Sequence, residues 1–162
     1  MNRPKAKKIH IGCDQNAIST VADVEAAVKR AGFLPQTHPA SDYVSVSVSV
    51  CDAVASEPGS QGILVCGTGQ GVCIVANKHH GIRAARCLCE QDARDSRHVN
   101  DANVLCLSAK TCHRKNSEII QAFLSTDAEV SEKRSLRKLQ IRAVETSSAK
   151  SHIQREEDAK CR

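Results

Sequence analysis

The residues with the clearest chemical potential stand in one short segment, Cys66 to Gly71, which reads Cys-Gly-Thr-Gly-Gln-Gly. Three glycines at alternate positions let the backbone turn sharply and point successive N–H groups into one concavity. An apolar segment precedes them and a helical segment follows, so a helix N-terminus favours negative charge there. The segment therefore predicts an anion site that suits a phosphate or a developing enediolate. Taken alone, the glycine spacing also fits a tight structural turn or a dinucleotide site.

Cys66 is the candidate base of this segment, because it ends an apolar strand where open α/β sheets bind their ligands. A thiolate in that position can remove a proton from carbon. The other cysteines fit a simpler interpretation as small buried hydrophobic residues, which we expect of Cys51, Cys73, Cys87, Cys106 and Cys112. No Cys-x-x-Cys pair occurs, so we expect no metal site.

A sheet must position this segment, and the remaining sequence supplies strands and helices in alternation. Strands are predicted at residues 8–13, 62–66, 82–87 and 104–107. Helices are predicted at residues 18–31, 72–78, 117–125 and 131–145, the first closed by Gly32 as a C-cap. This alternation indicates an α/β fold, a doubly wound parallel sheet covered by helices on both faces.

Residues 43–50 read Tyr-Val-Ser-Val-Ser-Val-Ser-Val, and their alternation has the period of a strand. Their place between the second and third strands instead requires a crossover helix, although valine and serine are indifferent helix formers. We favour a helix on this ground.

The 162 residues are too few for two independent cores, so we predict one domain over residues 1–148. From about Ser147 the sequence is polar and has no apolar periodicity. We therefore predict a polar, frayed tail over residues 149–162.

The composition excludes several other classes of protein. Aromatic residues make up 2% of the chain, which suits βα units better than an aromatic-rich sandwich. The formal net charge of +5 is mild, and we expect no nucleic-acid partner. No run approaches the roughly 18 apolar residues that cross a bilayer, so we expect no membrane role. The nine cysteines and a first segment without an apolar run indicate reduced thiols and a cytoplasmic location.

Further motifs follow the glycine segment in a fixed order: Ala-Asn-Lys at 76–78, Gly-Ile-Arg-Ala-Ala at 81–85 and Asn-Asp-Ala-Asn-Val-Leu at 100–105. Looser matches occur at residues 12–14, 41–43 and 141–145. Together these motifs resemble the ribose-5-phosphate isomerase B and galactose-6-phosphate isomerase family. The resemblance covers most of residues 8–148, and it is poor from Gln15 to Val50.

The resemblance implies a Rossmann-like subunit of about five parallel strands with a C-terminal helix. It also implies a homodimer whose active sites use both chains, with a sugar-phosphate substrate and no cofactor. The implied activity is aldose–ketose isomerisation in the pentose phosphate pathway, most simply ribose 5-phosphate to ribulose 5-phosphate, by proton transfer through an enediolate.

The family's functional residues map onto this sequence by the same resemblance. Cys66 would be the carbon base, Thr68 and the loop backbone would stabilise the enediolate, and Asp14 would bind sugar hydroxyls and help to open the ring. The implied catalytic residues are Cys66, Thr68, Asp14 and His98. The implied substrate-binding and phosphate-binding residues are Gly67, Gly69, Gln70, Gly71, Asp42, Tyr43, Asn100, Lys110, Arg134, Arg137 and Lys138.

Three positions depart from the family's usual residues. Gln15 and Val99 stand where the family has histidines, and His98 lies one residue before Val99. One residue on a helix turns a side chain by about 100°, so His98 does not simply replace the missing imidazole. Lys110 stands for an arginine, and it keeps the charge but loses the bidentate fork. The family's C-terminal pair of arginines matches Arg134 and Lys138, which share one helical face.

Two alternatives to an active isomerase remain at this stage. The departures fit a non-catalytic or partner-dependent sugar-phosphate-binding subunit of the same family. Glu90 follows the next strand, where a nicotinamide-dependent oxidoreductase binds its ribose. Against the second alternative, the glycine segment follows the third strand rather than the first, and the chain has no room for a substrate domain.

Overall fold

Five parallel strands and six α-helices make up the fold, in a computed structural model that describes the backbone of residues 7–160 and the side chains of residues 7–146. The strands are β1 at Lys8–Cys13, β2 at Leu34–Thr37, β3 at Gln61–Cys66, β4 at Ala84–Arg86 and β5 at Val104–Ser108. The helices are α1 at Val21–Arg30, α2 at Tyr43–Ser56, α3 at Gln70–Ala76, α4 at Glu90–Asn100, α5 at His113–Leu124 and α6 at Glu132–Lys160. The predicted α/β class and parallel sheet are confirmed.

The strand order β2-β1-β3-β5-β4 sets where a ligand can bind. After β1 the chain moves to β2 on one side, whereas after β3 it moves to β4 on the other side. The connections therefore diverge between β1 and β3. Doubly wound sheets bind ligands at such a divergence, outside the carboxyl ends of the strands.

The two faces of the sheet have separate cores. Side chains from α1, α4 and α5 pack on one face, and side chains from α2 and α3 pack on the other. On the second face, Gly12 lets α2 approach β1 closely, because a Cβ atom there would lie 2.7 Å from Val50 Cγ2. The sheet is thus tightly covered on the face that carries α3, the helix after the glycine segment.

Residues 43–50 form the first part of α2, so the predicted helix is confirmed. The Asp42 carboxylate caps this helix by accepting hydrogen bonds from the N–H groups of Val44 at 2.9 Å and Ser45 at 3.0 Å. Val46 and Val50, four residues apart, are buried against the sheet. The cap and the buried face outweigh the strand-like alternation.

Several boundaries differ from the prediction. A 3-10 helix at Gln15–Thr20 replaces the start of the helix predicted from residue 18. Helix α3 begins earlier, at Gln70, directly after Gly69, whose φ of 73° lies in the left-handed region. Strand β2, which the sequence pattern does not locate, is short and mostly exposed. Helix α5 begins at His113 rather than residue 117.

The predicted burial of the cysteines is confirmed at three positions. Cys51, Cys87 and Cys106 are buried. Cys73 is only half-buried. The prediction is wrong for Cys112, which is exposed because it stands at the N-cap of α5.

The chain divides into two compact units, one ending at Ala128 and the other beginning at Glu129. The boundary predicted from polarity lies later, between residues 148 and 149. Helix α6 continues to Lys160, past the predicted end at residue 145, because Ala, Lys, Gln, Arg and Glu favour helix without an apolar pattern. Residues 161 and 162 of the predicted frayed tail lie outside the described residues. Among the described residues, no helix is long and apolar enough to span a bilayer.

Candidate active site

Asp14 and Cys66 are neighbours at the carboxyl ends of β1 and β3. The parallel register pairs Cys13 with Val65, and the Asp14 N–H donates to the Val65 carbonyl oxygen at 3.0 Å. Continuing this register by one residue sets Asp14 beside Cys66. Both positions follow the alternation of the strands onto the face covered by α2 and α3. The structure therefore brings together two of the four predicted catalytic residues.

Both side chains are buried, with 6% of each residue exposed. No described residue forms a hydrogen bond to Asp14 Oδ1, and this atom is buried. A buried acceptor without a donor costs free energy, and native structures usually supply a partner. A ligand hydroxyl in the crevice would supply that donor.

The glycine segment folds back over the Cys66 sulfur. The Gly69 N–H donates to Cys66 Sγ at 3.1 Å and so fixes the position of the sulfur beneath the segment. Gly69 has a φ of 73°, and a Cβ atom at this position would lie 2.9 Å from the carbonyl carbon and oxygen of Leu107. Only glycine fits this conformation and this close approach.

Two side chains outside the segment hold it in place, and sequence reasoning missed both. Ser108 Oγ, at the end of β5, donates to the Gly67 carbonyl oxygen at 2.9 Å. Arg86 Nε, at the end of β4, donates to the Thr68 carbonyl oxygen at 2.8 Å. Only their positions could have pointed to them. Ser108 ends β5, which lies next to β3 in the sheet, and Arg86 ends β4, which lies one strand further out.

The remaining predicted residues of the segment face the solvent side. Thr68 and Gln70 are exposed, and Thr68 Oγ1 accepts a hydrogen bond from the Gln70 N–H at 3.3 Å. Their exposed side chains are thus available to a ligand that enters the crevice.

Tyr43 and Asp42 border the segment in different ways. A Cβ atom at Gly71 would lie 3.0 Å from Tyr43 Cδ2, so the tyrosine ring covers this glycine. Asp42 instead caps α2, and the Ser45 hydroxyl and N–H group lower its carboxyl pKa from the ordinary value. The structure therefore gives Asp42 a structural role and sets Tyr43 beside the loop.

Lys110 lies at the same edge of the sheet as Cys66. The N–H group of Ala109, the preceding residue, donates to the Cys66 carbonyl oxygen at 2.9 Å. The exposed Lys110 side chain borders a cavity of about 300 Å³ between the start of α1 and the start of α5. A cation at this edge suits the phosphate of a substrate.

Comparison with known proteins identifies the family. Residues 9–141 match the Ribose/Galactose Isomerase family. The chain belongs to this family. It is 40% identical over 92 residues to the probable ribose-5-phosphate isomerase B of Mycoplasma pneumoniae, a match that spans 56% of this chain and 60% of that protein. It is also 34% identical over 128 residues to the D-erythrulose-4-phosphate isomerase of Pectobacterium atrosepticum. This match spans 75% of this chain and 84% of that protein.

A solved structure supports the same assignment for the fold. The type B ribose 5-phosphate isomerase of Trypanosoma brucei superposes with a TM-score of 0.82 at 36% sequence identity. The superposition covers 86% of this chain and 99% of the trypanosomal chain. The fold is therefore the Rossmann-like fold of the Ribose/Galactose Isomerase family, as the sequence motifs predict.

Two of the family motifs form a structural clamp around β4. The Asn77 side chain donates to the Ala84 carbonyl oxygen and accepts from the Ala84 N–H, each at 2.9 Å. The Asn103 side chain accepts from the Arg83 N–H at 2.8 Å and donates to the Gly81 carbonyl oxygen at 2.9 Å. These asparagines therefore fix the entry into β4 rather than contact Cys66.

His98 and Asn100 lie at the opposite edge of the sheet from Cys66 in the same chain. They end α4, and Asn103, just beyond, accepts a hydrogen bond from the N–H of Gly62 at the start of β3. The four steps along the strand from Gly62 to Cys66 span about 13 Å. One chain does not bring His98 or Asn100 to the thiol.

Arg134, Arg137 and Lys138 lie on α6, in the second compact unit. Arg134 Nε donates to Glu129 Oε2 at 2.9 Å, and Arg137 Nη1 donates to Gln140 Oε1 at 2.8 Å. The helix confirms that Arg134 and Lys138, four residues apart, share a face. Phosphate binding by these three residues stays a prediction.

Proposed function

We propose that this protein interconverts ribose 5-phosphate and ribulose 5-phosphate, by proton transfer through an enediolate. The observation that carries the proposal is the grouping of the Cys66 sulfur, the Gly69 N–H group and the Asp14 carboxylate at the divergence between β1 and β3. A base, an anion-stabilising backbone and a buried acceptor for a hydroxyl are the parts that this reaction needs.

In the proposed reaction, the Cys66 thiolate removes the proton from C2 of the open-chain aldose. The negative charge moves to the carbonyl oxygen, and N–H groups of the Gly67 to Gly71 segment stabilise it together with Thr68. A proton passes from the C2 hydroxyl to the oxygen on C1, so that the negative charge moves to the oxygen on C2. Cys66 then returns its proton to C1, which completes the ketose and restores the thiolate. The left-handed Gly69 and the hydrogen bonds from Ser108 and Arg86 hold these donors in place before the substrate arrives.

The Asp14 carboxylate has a second task in this proposal. Its Oδ1 atom accepts a hydrogen bond from a sugar hydroxyl, which orients the sugar and assists ring opening. Lys110 supplies positive charge for the phosphate at the same edge. Four-carbon substrates stay open-chain more readily, and the name of the Pectobacterium relative makes erythrulose 4-phosphate a second substrate to test.

The proposal includes a homodimer in the cytoplasm whose partner subunit completes the site. The homodimer is supported by the distance between the end of α4 and Cys66. Within one chain, His98 and Asn100 lie near the start of β3, whereas Cys66 lies at its end. In a symmetric dimer, each subunit would offer its α4 end to the crevice of the other.

The test follows interconversion of ribose 5-phosphate and ribulose 5-phosphate by the purified protein and by two cysteine variants. Cys66→Ala removes the proposed base and is expected to abolish turnover while the protein stays folded. Cys87→Ala makes the same change at another buried cysteine, on the opposite face of the sheet, and is expected to retain turnover. Equal turnover in the Cys66→Ala variant would contradict the proposed base.

A second candidate function is a sugar-phosphate-binding subunit without activity of its own, which the presence of Gln15, Val99 and Lys110 favours. The same experiment separates the two candidates when binding of ribose 5-phosphate is measured by calorimetry. Binding without interconversion in the wild-type protein would favour the binding subunit.

A further inference from the structure

Two histidines connect a carboxylate to an exposed serine of α2. His10 lies on β1 and is 3% exposed, whereas His38 directly follows β2. His10 Nδ1 lies 3.1 Å from His38 Nε2, and His38 Nδ1 lies 2.7 Å from the hydroxyl oxygen of Ser49. The carboxylate of Glu57, at the end of α2, stands 3.5 Å from His10 Nε2. These four residues form the histidine network.

The carboxylate sets the direction of the protons in this network. Within the part of the chain that the structure describes, His10 Nε2 is buried without a hydrogen-bond partner, and the Glu57 carboxylate is beside it. A carboxylate attracts an N–H group and repels a lone pair, so the His10 proton lies on Nε2 and Nδ1 is an acceptor. His38 therefore donates from Nε2 and accepts at Nδ1. The Ser49 hydroxyl is then the donor to His38.

We propose that Ser49 is a nucleophilic serine, which takes an acyl group from an activated ester or thioester. The Ser49 oxygen attacks the carbonyl carbon, so that an O–C bond forms and the bond from this carbon to the leaving oxygen or sulfur breaks. His38 Nδ1 accepts the hydroxyl proton during the attack and passes it to the leaving group. The products are an O-acyl serine and a free alcohol or thiol, with no change of oxidation state.

This site is separate from the candidate active site. His10 lies four residues before Asp14, which is about 13 Å along the strand. The proposed acylation uses none of the residues assigned to the isomerase reaction. It therefore does not depend on the proposed function.

The other serines of α2 show what is unusual about Ser49. A serine inside a helix commonly bonds to a carbonyl group of the preceding turn, and the Ser47 hydroxyl does so by donating to the Tyr43 carbonyl oxygen at 2.6 Å. The exposed Ser45, one turn before Ser49, donates to Asp42 Oδ2 at 2.6 Å. The pKa of this carboxyl is lowered, which makes it a weak base. A neutral imidazole is the better base near neutral pH, and it faces Ser49.

His38 is in the form that the reaction needs. Burial, and secondly the neighbouring His10, lower its pKa from 6.5, so the imidazole is neutral at pH 7. Other charged groups lie around the network. Lys8 Nζ is 3.2 Å from Glu57 Oε1 and is the main cause that lowers the pKa of this carboxyl, so Glu57 stays ionised. Glu25 of α1 accepts a hydrogen bond from the residue before His38.

The helical setting of Ser49 limits the reaction to one round. Ser49 lies inside α2, where the backbone N–H groups bond to carbonyl groups of the preceding turn. These N–H groups are not free to stabilise the oxyanion that forms when an acyl-serine is hydrolysed. We therefore expect a stable acyl-serine, with one acyl group per chain, rather than rapid turnover.

Acetylation by p-nitrophenyl acetate tests the proposal, because released p-nitrophenolate gives the rate and mass spectrometry gives the site. The full-length protein is treated near neutral pH, and neutral hydroxylamine then removes acetyl groups from thiols. Trypsin releases residues 31–78, which contain Ser45 and Ser49, and fragmentation of this peptide places the acetyl group. We expect it at Ser49 and not at Ser45. Equal acetylation of both serines, or none at Ser49, would overturn the proposal.

Four variants assign the roles within the network. Ser49→Ala and Ser45→Ala are matched changes at exposed positions of one helix, and only the first is expected to abolish the acetylation. His38→Gln removes the base and is expected to slow the reaction about 10²-fold or more. Glu57→Gln changes a partly exposed residue and is also expected to slow it, which keeps the test valid if the histidine variant is poorly folded. Wild-type rates in both network variants would refute activation by the network.

The pH profile separates a base from a histidine with a purely structural role. In the wild-type protein, the acetylation rate is expected to be constant above the pKa of His38 and to fall as the pH drops through it, with a midpoint below 6.5. In His38→Gln the residual rate is expected to rise steadily with pH, because hydroxide is then the base. A steady rise through the neutral range in the wild-type protein would show that His38 is not the base.

Discussion

The backbone N–H of Gly69 donates a hydrogen bond to the sulfur of Cys66 across 3.1 Å. The contact depends on the left-handed conformation of Gly69, which folds the segment back over the end of β3. The hydrogen bond fixes the sulfur beside the backbone of the segment, where the proposed function requires a base. The relationship makes Gly69, rather than the segment as a whole, the residue on which the site depends.

Substitution of Gly69 by alanine is therefore expected to damage both stability and turnover. The left-handed conformation costs an alanine about 1 to 2 kcal/mol, and contact with the Leu107 carbonyl adds to this cost. Urea unfolding measures the loss of stability, and initial rates with ribose 5-phosphate measure the loss of turnover.

Gly67→Ala is the matched control, because a Cβ atom added at this position meets no heavy atom of the described residues within 4 Å, apart from those of its chain neighbours. Its free energy of unfolding is expected to stay close to the wild-type value. If the two alanine variants were equally stable, the special role of Gly69 would be refuted.

The sequence predicts those parts of the site that depend on residues close together in the chain. Cys66 and the glycines were predictable, because an apolar strand, a glycine turn and a helix follow one another directly. The contacts from Arg86 and Ser108 were not, since they depend on which strands become neighbours in the sheet. The structural role of Asp42 follows from the helix at residues 43–56, which the alternating Val-Ser pattern partly conceals.

His38 is expected to make the protein less stable in mild acid. Burial, and secondly the neighbouring His10, lower its pKa from the ordinary value of 6.5, so the folded protein binds a proton less readily than the unfolded chain. The unfolded state therefore gains protons first as the pH falls through 6.5, and the stability supplied by neutral His38 is lost. His38 Nε2 also forms a hydrogen bond with His10 Nδ1 at 3.1 Å, which requires one of the two nitrogens to lack a proton.

The measurement is the free energy of unfolding between about pH 8 and about pH 5.5, the range in which histidine titrates. We expect it to fall with pH in the wild-type protein and to fall less in His38→Gln. His113→Gln, at an exposed histidine, is expected to retain the wild-type slope. Identical slopes in the wild-type and His38→Gln proteins would show that His38 does not contribute.

Val99→His is expected to accelerate the aldose direction in particular. Ring opening of ribose 5-phosphate needs an acid–base group, whereas ribulose 5-phosphate cannot close to a furanose, so a missing imidazole limits only the first substrate. General acid–base catalysis is worth about 10²-fold or more, which sets the expected gain from the aldose. Initial rates from both substrates test this, and an equal change in both directions would rule out a specific role in ring opening.

Mixing two inactive variants is expected to restore activity if the dimer shares its sites. Cys66→Ala lacks the base, and Asn100→Ala lacks the residue at the far edge of the sheet. A mixed dimer combines the Cys66 of one chain with the Asn100 of the other and so contains one complete site of two. Random exchange of subunits in equal amounts would therefore give about a quarter of the wild-type sites.

The measurement uses subunits of different mass, so that mass spectrometry of the intact dimers reports how far exchange has proceeded. Activity that rises in step with the mixed dimer would establish the shared site, because neither chain alone contains both residues. Mixing wild-type protein with the double variant Cys66→Ala/Asn100→Ala is the control, since its mixed dimer contains no complete site and is expected to lose activity as exchange proceeds. Mixed dimers that form fully and remain inactive would show instead that each chain builds its own site and that Asn100 acts only on the fold.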